Sequence, residues 1–342
     1  MKKLTISDIA RMSGFAKSTI SAVLNGKSGV NIKTRERVLE IVNHLGYQPS
    51  DVARGLSVRQ SKIIGLIVRD LDNPFHAKVI RGVEREIQAE GYGLILCTTD
   101  NDRAKEREVV DMLMRKEVDG FIIMPVTRSV DQIIRIKNQG YPVVALSPLL
   151  SQLEVDCVYT DERSGTYQAA KYLLDLGHSR IALLTAPDIS ELKIAGFQDA
   201  LAERGVPLPK NLLAEAGLSI DHGYQAAAEL LSHPEPPTAL ICFNDMAAIG
   251  ALLAAREGGF RVPEDLSVIG FDGLEFTAAL NPPLTTVDIP RTLFGQTAAA
   301  LLLQRIAGEA DGAYREIPIP TQLVIRQSCA PLSMERAAAC GD

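Results

Sequence analysis

Between residues 5 and 45 apolar side chains recur every three or four positions in three short blocks separated by turn residues; from residue 62 onward, short unbroken apolar runs alternate with amphipathic stretches. The first pattern predicts small helices that each bury one stripe. The second predicts strands covered on both faces and interleaved with helices. Thr5 followed three residues later by Asp8 forms a capping-box start, so a helix opens near Ile6. Gly14 marks a turn, and a second helix over 17–24 turns Ile20, Val23 and Leu24 inward. Asn31 can cap a third helix whose Val38, Ile41, Val42 and Leu45 form an apolar stripe that Gly46 ends. The first two helices and their tight turn make a helix-turn-helix, whose second helix stays exposed on so small a core. Periodicity alone equally allows a packing module with no nucleic-acid role.

In the remainder, strands are predicted over 63–68, 93–98, 120–124 and 143–146, with helices over 77–90, 103–116 and 130–138. A second series follows, with helices over 162–176, 191–204, 224–231 and 247–257 and strands over 180–185, 239–243 and 266–271. Two consecutive series of this kind predict an α/β body of two doubly wound parallel-sheet lobes. Ligands of such sheets bind at the carboxyl ends of the strands, here between the lobes. No GxGxxG, P-loop or GxSxG pattern is present, which argues against an enzyme on this fold.

Charge sharpens the division. The net charge is -6, yet residues 1–60 carry ten Lys/Arg against four Asp/Glu, and the rest carries 26 against 38. A basic unit on an acidic body suggests that only the first part meets a polyanion, although a solvated basic surface is the simpler alternative. Asp8 and Arg11 interrupt any apolar core of an export signal, and the apolar 238–254 region carries Asn244 and Asp245, so no segment spans a bilayer. A cytoplasmic protein is the expectation. Cys97, Cys157, Cys242, Cys329 and Cys340 form no CxxC pair and are odd in number, which suggests buried small hydrophobes; no metal, cofactor or catalytic residue is assigned.

The strings TISDIA (5–10), STISAVLN (18–25), VNIKTR (30–35) and LGYQPSDVARGL (45–56) resemble, in order and spacing, the DNA-binding head and hinge of the LacI-type regulators. That resemblance implies that Lys17 and Ser18 begin the recognition helix and reach base edges, while Thr5, Thr19, Ser21, Asn25, Thr34 and Tyr47 hold phosphates. Ala22 stands at a base-reading position often occupied by Arg, so only a methyl contact is available there. Ala16 stands where Ser is usual, leaving the recognition helix without a side-chain cap. Residues 49–60 resemble the family's hinge helix, with Ser50 as a cap and with Ala53 and Leu56 at the DNA, Leu56 as a minor-groove wedge. Without the resemblance Leu56 is an ordinary linker residue. So short a segment, weakened by Gly55, is expected to become helical only when paired with its dimer mate on DNA.

Further strings carry the same resemblance through the body: NPF (73–75), KEVDGF (116–121), LGHSRIA (176–182), IAGFQDAL (194–201), FNDMAAIG (243–250), RVPEDLSVIGFD (261–272) and PLTTV (283–287). The body is similar to periplasmic sugar-binding proteins, which implies three crossings between lobes. The implied organisation is a head over 1–48, a hinge over 49–60, a body over 61–330 and a tail over 331–342. The first lobe takes about 61–160 and 290–320, the second about 161–288 and 321–330. Asn73, Phe75, Ser147, Lys193, Leu218, Asn244, Asp272 and Ile289 are expected to face the cleft. Ser147, Lys193, Leu218 and Ile289 replace the Asp, Arg, aromatic and Gln that the family often has, so the expected pocket is less aromatic and less polar. Lys193 beside Asp272 can serve a ligand or form a structural ion pair. His178 reads as structural. The tail lacks leucine heptads, so a dimer without a tetramerising coiled coil is expected.

Taken together these readings predict a homodimeric, sequence-specific DNA-binding regulator of a palindromic operator, a repressor controlled by a small effector such as a sugar or related polar metabolite. A transporter's solute-binding protein would share the body but have no use for residues 1–60.

Overall fold

The computed structural model describes residues 4–24, 28–47, 60–126, 130–148, 153–187, 189–208, 212–310 and 312–332. The chain divides into two compact units between residues 62 and 63. In the head, α1 (Ile6–Ser13), α2 (Lys17–Leu24) and α3 (Ile32–His44) surround a core of Ile9, Ile20, Val23, Val38 and Val42. Each boundary has a local cause. Thr5 and Asp8 close a reciprocal capping box, Gly14 takes a left-handed φ of 73°, and Asn31 Oδ1 accepts the Lys33 amide at 3.0 Å. Ala16, with no side chain to offer, contributes only its carbonyl to the Ile20 amide.

The body opens with β1 (Ile63–Val68), α4 (Phe75–Ala89), β2 (Gly93–Thr98), α5 (Arg103–Arg115), β3 (Gly120–Ile123), α6 (Asp131–Asn138), β4 (Val143–Ala145) and β5 (Asp156–Thr160). It continues through α7 (Glu162–Asp175), β6 (Ile181–Thr185), α8 (Glu191–Glu203), β7 (Leu213–Glu215), α9 (Ile220–Leu231), β8 (Ala239–Ile241), α10 (Asp245–Glu257), β9 (Ser267–Asp272), a 3-10 turn (Glu275–Ala279) and β10 (Thr285–Asp288). The last elements are α11 (Arg291–Ala307), β11 (Glu316–Ile319) and β12 (Gln322–Val324). Two six-stranded sheets result, in the orders β11-β5-β4-β3-β1-β2 and β12-β10-β9-β8-β6-β7. The chain therefore changes sheet after β5, after β10 and after β11.

Ten of the twelve strands sit in wholly parallel pairings, but β12 runs antiparallel to β10, with Val287 opposite Leu323. A uniformly parallel sheet is not what forms, because only Pro320 and Thr321 separate β11 from β12. A parallel return needs a dozen or more residues. Several helices also begin earlier than periodicity predicts. Asn73 Oδ1 takes the Phe75 amide at 2.9 Å, Ser219 Oγ the His222 amide at 3.2 Å, and Asn244 Oδ1 the Ala247 amide at 2.7 Å. Each of these starts is set by its amide-accepting side chain rather than by an apolar stripe, and it brings the helix to the cleft.

The lobes are tied down by buried polar links. Arg305 of α11 forks onto Asp156 of β5 through Nε at 2.5 Å and a second nitrogen at 3.0 Å. His178, as expected, is structural: its ring nitrogens contact Thr238 Oγ1 at 2.9 Å, the Ala330 carbonyl at 3.0 Å and Ser267 Oγ at 3.1 Å, stitching the segment before the tail onto the second lobe. Helix pairs approach closely through glycine. A Cβ on Gly250 of α10 would lie 2.0 Å from the Ile220 carbonyl of α9, and one on Gly223 of α9 2.3 Å from the Ala247 carbonyl. Gly250→Ala should therefore lose roughly 1–3 kcal/mol of stability despite alanine's better helix propensity. Urea unfolding checks this, and an unchanged or raised midpoint would show that the two helices part freely.

Candidate functional site

The carboxyl ends of β1, β4, β8 and β9 open onto one cleft between the lobes, a cavity of about 1130 Å³. Of the eight residues expected there, Asn73, Phe75, Ser147, Leu218, Asn244, Asp272 and Ile289 are on its wall. Lys193 is not. It is 2% exposed, its Nζ lies 3.4 Å from Glu162 Oε1, and it sits 3.0 Å from the Phe271 ring centroid and 4.9 Å from that of Phe243. Of the two alternatives open for Lys193 beside Asp272, a ligand contact or a structural ion pair, it is an ion pair that forms, and its partner is Glu162. The close packing of α7 on α8 explains this: a Cβ on Gly196 would lie 2.0 Å from the Arg163 carbonyl, so the first turns of both helices are side by side. Burial pulls the Lys193 ammonium below its ordinary value, while Glu162 and Asp272 hold it up.

Several wall residues are already engaged. Asn244 donates through Nδ2 to the Leu218 carbonyl at 3.0 Å and accepts the Ala247 amide, so both of its polar ends serve the fold. Asn73 accepts the Phe75 amide and donates its own amide to Asp70 Oδ1 at 3.0 Å. Asp272 differs. It is 8% exposed, its φ is 112°, and its Oδ2 has no hydrogen-bond partner.

Sequence reasoning missed other wall residues: Arg69 and Asp70 after β1, Tyr159 on β5, Phe243 after β8 and Phe294 on α11. The pocket is consequently richer in aromatic faces than expected, with the Phe75 and Phe294 rings 6.4 Å apart. The signal for Arg69 and Asp70 was their place just past a buried strand. Phe294 lay hidden because α11 buries a wide face, from Arg291 and Phe294 to Leu301 and Leu302, and shows no clean stripe.

On the head, Lys17 and Ser18 are exposed at the start of α2, and Thr19, Ser21 and Ala22 follow half-buried along it. Thr5 is exposed but its hydroxyl is engaged with Asp8 Oδ2 at 2.7 Å. Thr34 is half-buried on α3, and Tyr47 packs against the head core. Asn25, Ala53, Leu56 and the hinge lie outside the described residues.

Residues 5–50 match the model of bacterial regulatory proteins of the lacI family, and residues 61–327 match the model of periplasmic binding proteins and the sugar-binding domain of the LacI family. The chain belongs to the LacI family of regulators. It is 35% identical over 327 residues to the ribose operon repressor of Haemophilus influenzae, covering 95% of this chain and 98% of that one. The lac repressor dimer bound to operator and an anti-inducer superposes with a TM-score of 0.87 at 29% identity, covering 96% of this chain and all of that one. A LacI-family regulator from Enterococcus faecium with bound ribose is 36% identical, with a TM-score of 0.72, and covers 79% of this chain and all of that one. This LacI-family protein is an effector-controlled DNA-binding transcriptional regulator rather than an enzyme or a transport component. Among the described residues no helix is long and apolar enough to cross a membrane.

Beneath the cleft of this regulator, Asp245 accepts Thr286 Oγ1 at 2.6 Å and the Leu274 amide at 2.7 Å. Burial nevertheless outweighs these bonds and pushes its carboxyl up to about 6, and burial together with Asp245 pushes Asp272 well above the carboxylate range. A folded value above the unfolded one means stability that is present below the ordinary aspartate range near 3.8 and lost as pH rises through about 6. Asp245→Asn should therefore flatten the decline in stability between pH 4 and pH 7, by up to roughly 3 kcal/mol. Denaturant titrations at several pH values check the slope; parallel curves for both proteins would place the proton elsewhere.

Proposed function

We propose that this regulator acts in the cytoplasm as a homodimeric repressor that binds a palindromic operator through its heads and is controlled by a sugar or related polar metabolite in the cleft. The observation that carries this reading is the joining, in one chain, of an α2 led by an exposed lysine and an exposed serine to a two-lobed body with a cleft. Lys17 and Ser18 read base edges, and Ala22 offers a methyl group. Thr5, Thr19, Ser21, Asn25, Thr34 and Tyr47 hold the backbone, where short hydroxyls and amides fix register without reading sequence. Residues 49–60 connect the units, with Ala53 and Leu56 at the operator centre. Occupation of the cleft by an effector shifts the regulator between DNA-competent and DNA-incompetent forms only by the difference in its affinity for the two.

Selection of genomic fragments by the purified full-length protein, followed by sequencing, tests the reading. A palindrome is expected whose half-site centres stand about one helical turn apart, roughly 10–10.5 base pairs. Lys17→Ala should weaken binding and relax the base preference at one position per half-site, whereas Thr5→Ala should weaken binding to all sequences alike and also cost the head about 1 kcal/mol as a lost cap. Leu56→Ala should weaken binding to the palindrome. Fragments without enrichment, or an affinity indifferent to Leu56, would overturn the proposed mode of recognition.

A further inference from the structure

The cleft, read as the effector site, also has a chemistry of its own. Among its described wall residues seven are Asp or Glu, and Arg69 is the one Lys or Arg. Part of that excess has an ordinary cause. Glu162, Glu191 and Asp221 stand in the first turns of α7, α8 and α9, where a carboxylate suits the positive end of a helix with or without a ligand. Asp100 pairs with Lys105, and Asp70 accepts the Asn73 amide.

Asp272 has no such cause. It ends β9 in the left-handed region, is more than nine-tenths buried, and leaves Oδ2 without a donor on the cavity wall. A strained backbone and an unpaired buried oxygen persist together only where the surroundings impose them, and such sites cluster where ligands are held. Aromatic faces share the space, from Phe75, Tyr159, Phe243 and Phe294. A carboxylate that shares a cavity with aromatic rings can hold an ammonium group, by charge-assisted hydrogen bonding on one side and the negative ring faces on the other. Of the polar side chains that a polyol could use, both ends of Asn244 and the side-chain carbonyl of Asn73 are bound to backbone, and Lys193 is turned off the wall onto Glu162.

We propose that the effector is a small metabolite carrying a protonated amine, seated on Asp272 among the aromatic rings of the cleft. The charges around Asp272 agree. Lys193 of α8 and Arg291 of α11 favour its ionised form, while Asp245 of α10 and Glu162 of α7 oppose it, and burial opposes it most. Neither cation gives Oδ2 a hydrogen bond. A ligand ammonium supplies both the missing donor and the missing charge.

Thermal-shift and calorimetric titrations of the full-length protein test this, with putrescine, ethanolamine, glucosamine and galactosamine set against glucose, galactose, ribose, gluconate and glucose 6-phosphate. The stabilising compounds should be amines, an amino sugar should exceed its parent sugar by about tenfold or more in affinity, and that affinity should fall as salt is raised. Asp272→Asn should lose the amine by about tenfold or more. Because that variant can also fail to fold, the salt dependence is measured on the unmodified protein. A neutral or anionic compound that binds tightest and alters operator retention overturns the amine and leaves the cleft as the effector site. Amine binding indifferent to salt and to Asp272→Asn in a folded variant overturns the assigned seat. No stabilisation by any compound overturns both the amine and the effector reading of the cleft, while operator selection judges the head separately.

Discussion

The two sheets of the body meet where three segments of chain cross between them, and the fit of these segments governs the geometry of the cleft. Gly165 lies beneath them. A Cβ there would stand 2.7 Å from Thr321 Oγ1, 2.8 Å from Val287 Cγ1 and 3.0 Å from Phe271 Cζ, so only a bare backbone admits the third crossing. Thr321 Oγ1 then donates to the Asp161 carbonyl at 3.0 Å, and the Asp161 amide donates to the Ile319 carbonyl at 2.9 Å, which binds the first crossing to the third. Arg291, buried at the second crossing, donates to the Gly273 carbonyl at 2.6 Å. The strand ends that form the cleft are thus held from below by hydrogen bonds and close packing, while their open side is free to receive a ligand.

The division of labour among the wall residues follows from that support. Asn244 joins the loop at Leu218 to the start of α10, and Asn73 shapes the turn into α4. Lys193, behind the wall at the ring of Phe271, pairs with the wall residue Glu162 between two packed helices. These side chains make the wall rather than offer themselves to its contents. Asp272 is a wall residue whose buried Oδ2 the fold leaves without a donor.

This contrast explains what the sequence could and could not convey. The head was legible almost to the residue because its instructions are local: Thr5 with Asp8, Gly14, Asn31 and Gly46 each act within a few positions. The two-lobed α/β architecture was legible from alternating runs. The antiparallel β12 was not, since its direction depends on a two-residue link whose ends are fixed by distant strands. Nor were α11 and Phe294 evident, because a helix buried over a wide face loses its stripe. In the cleft, the positions near the cavity could be named from resemblance, but which polar atoms remain open could not. That depends on partners far along the chain, as Lys193 and Glu162 illustrate.

The three crossings also mean that neither lobe is a continuous stretch of sequence. The first sheet lacks its edge until β11 arrives after residue 315, and the second lacks β12 until residue 324. During synthesis the head, whose core uses residues 9–42, can close early, whereas a finished cleft must await nearly the whole polypeptide. A truncated product can therefore carry a complete head without a cleft to govern it, and the order of the chain makes DNA recognition the first part to mature and its control the last.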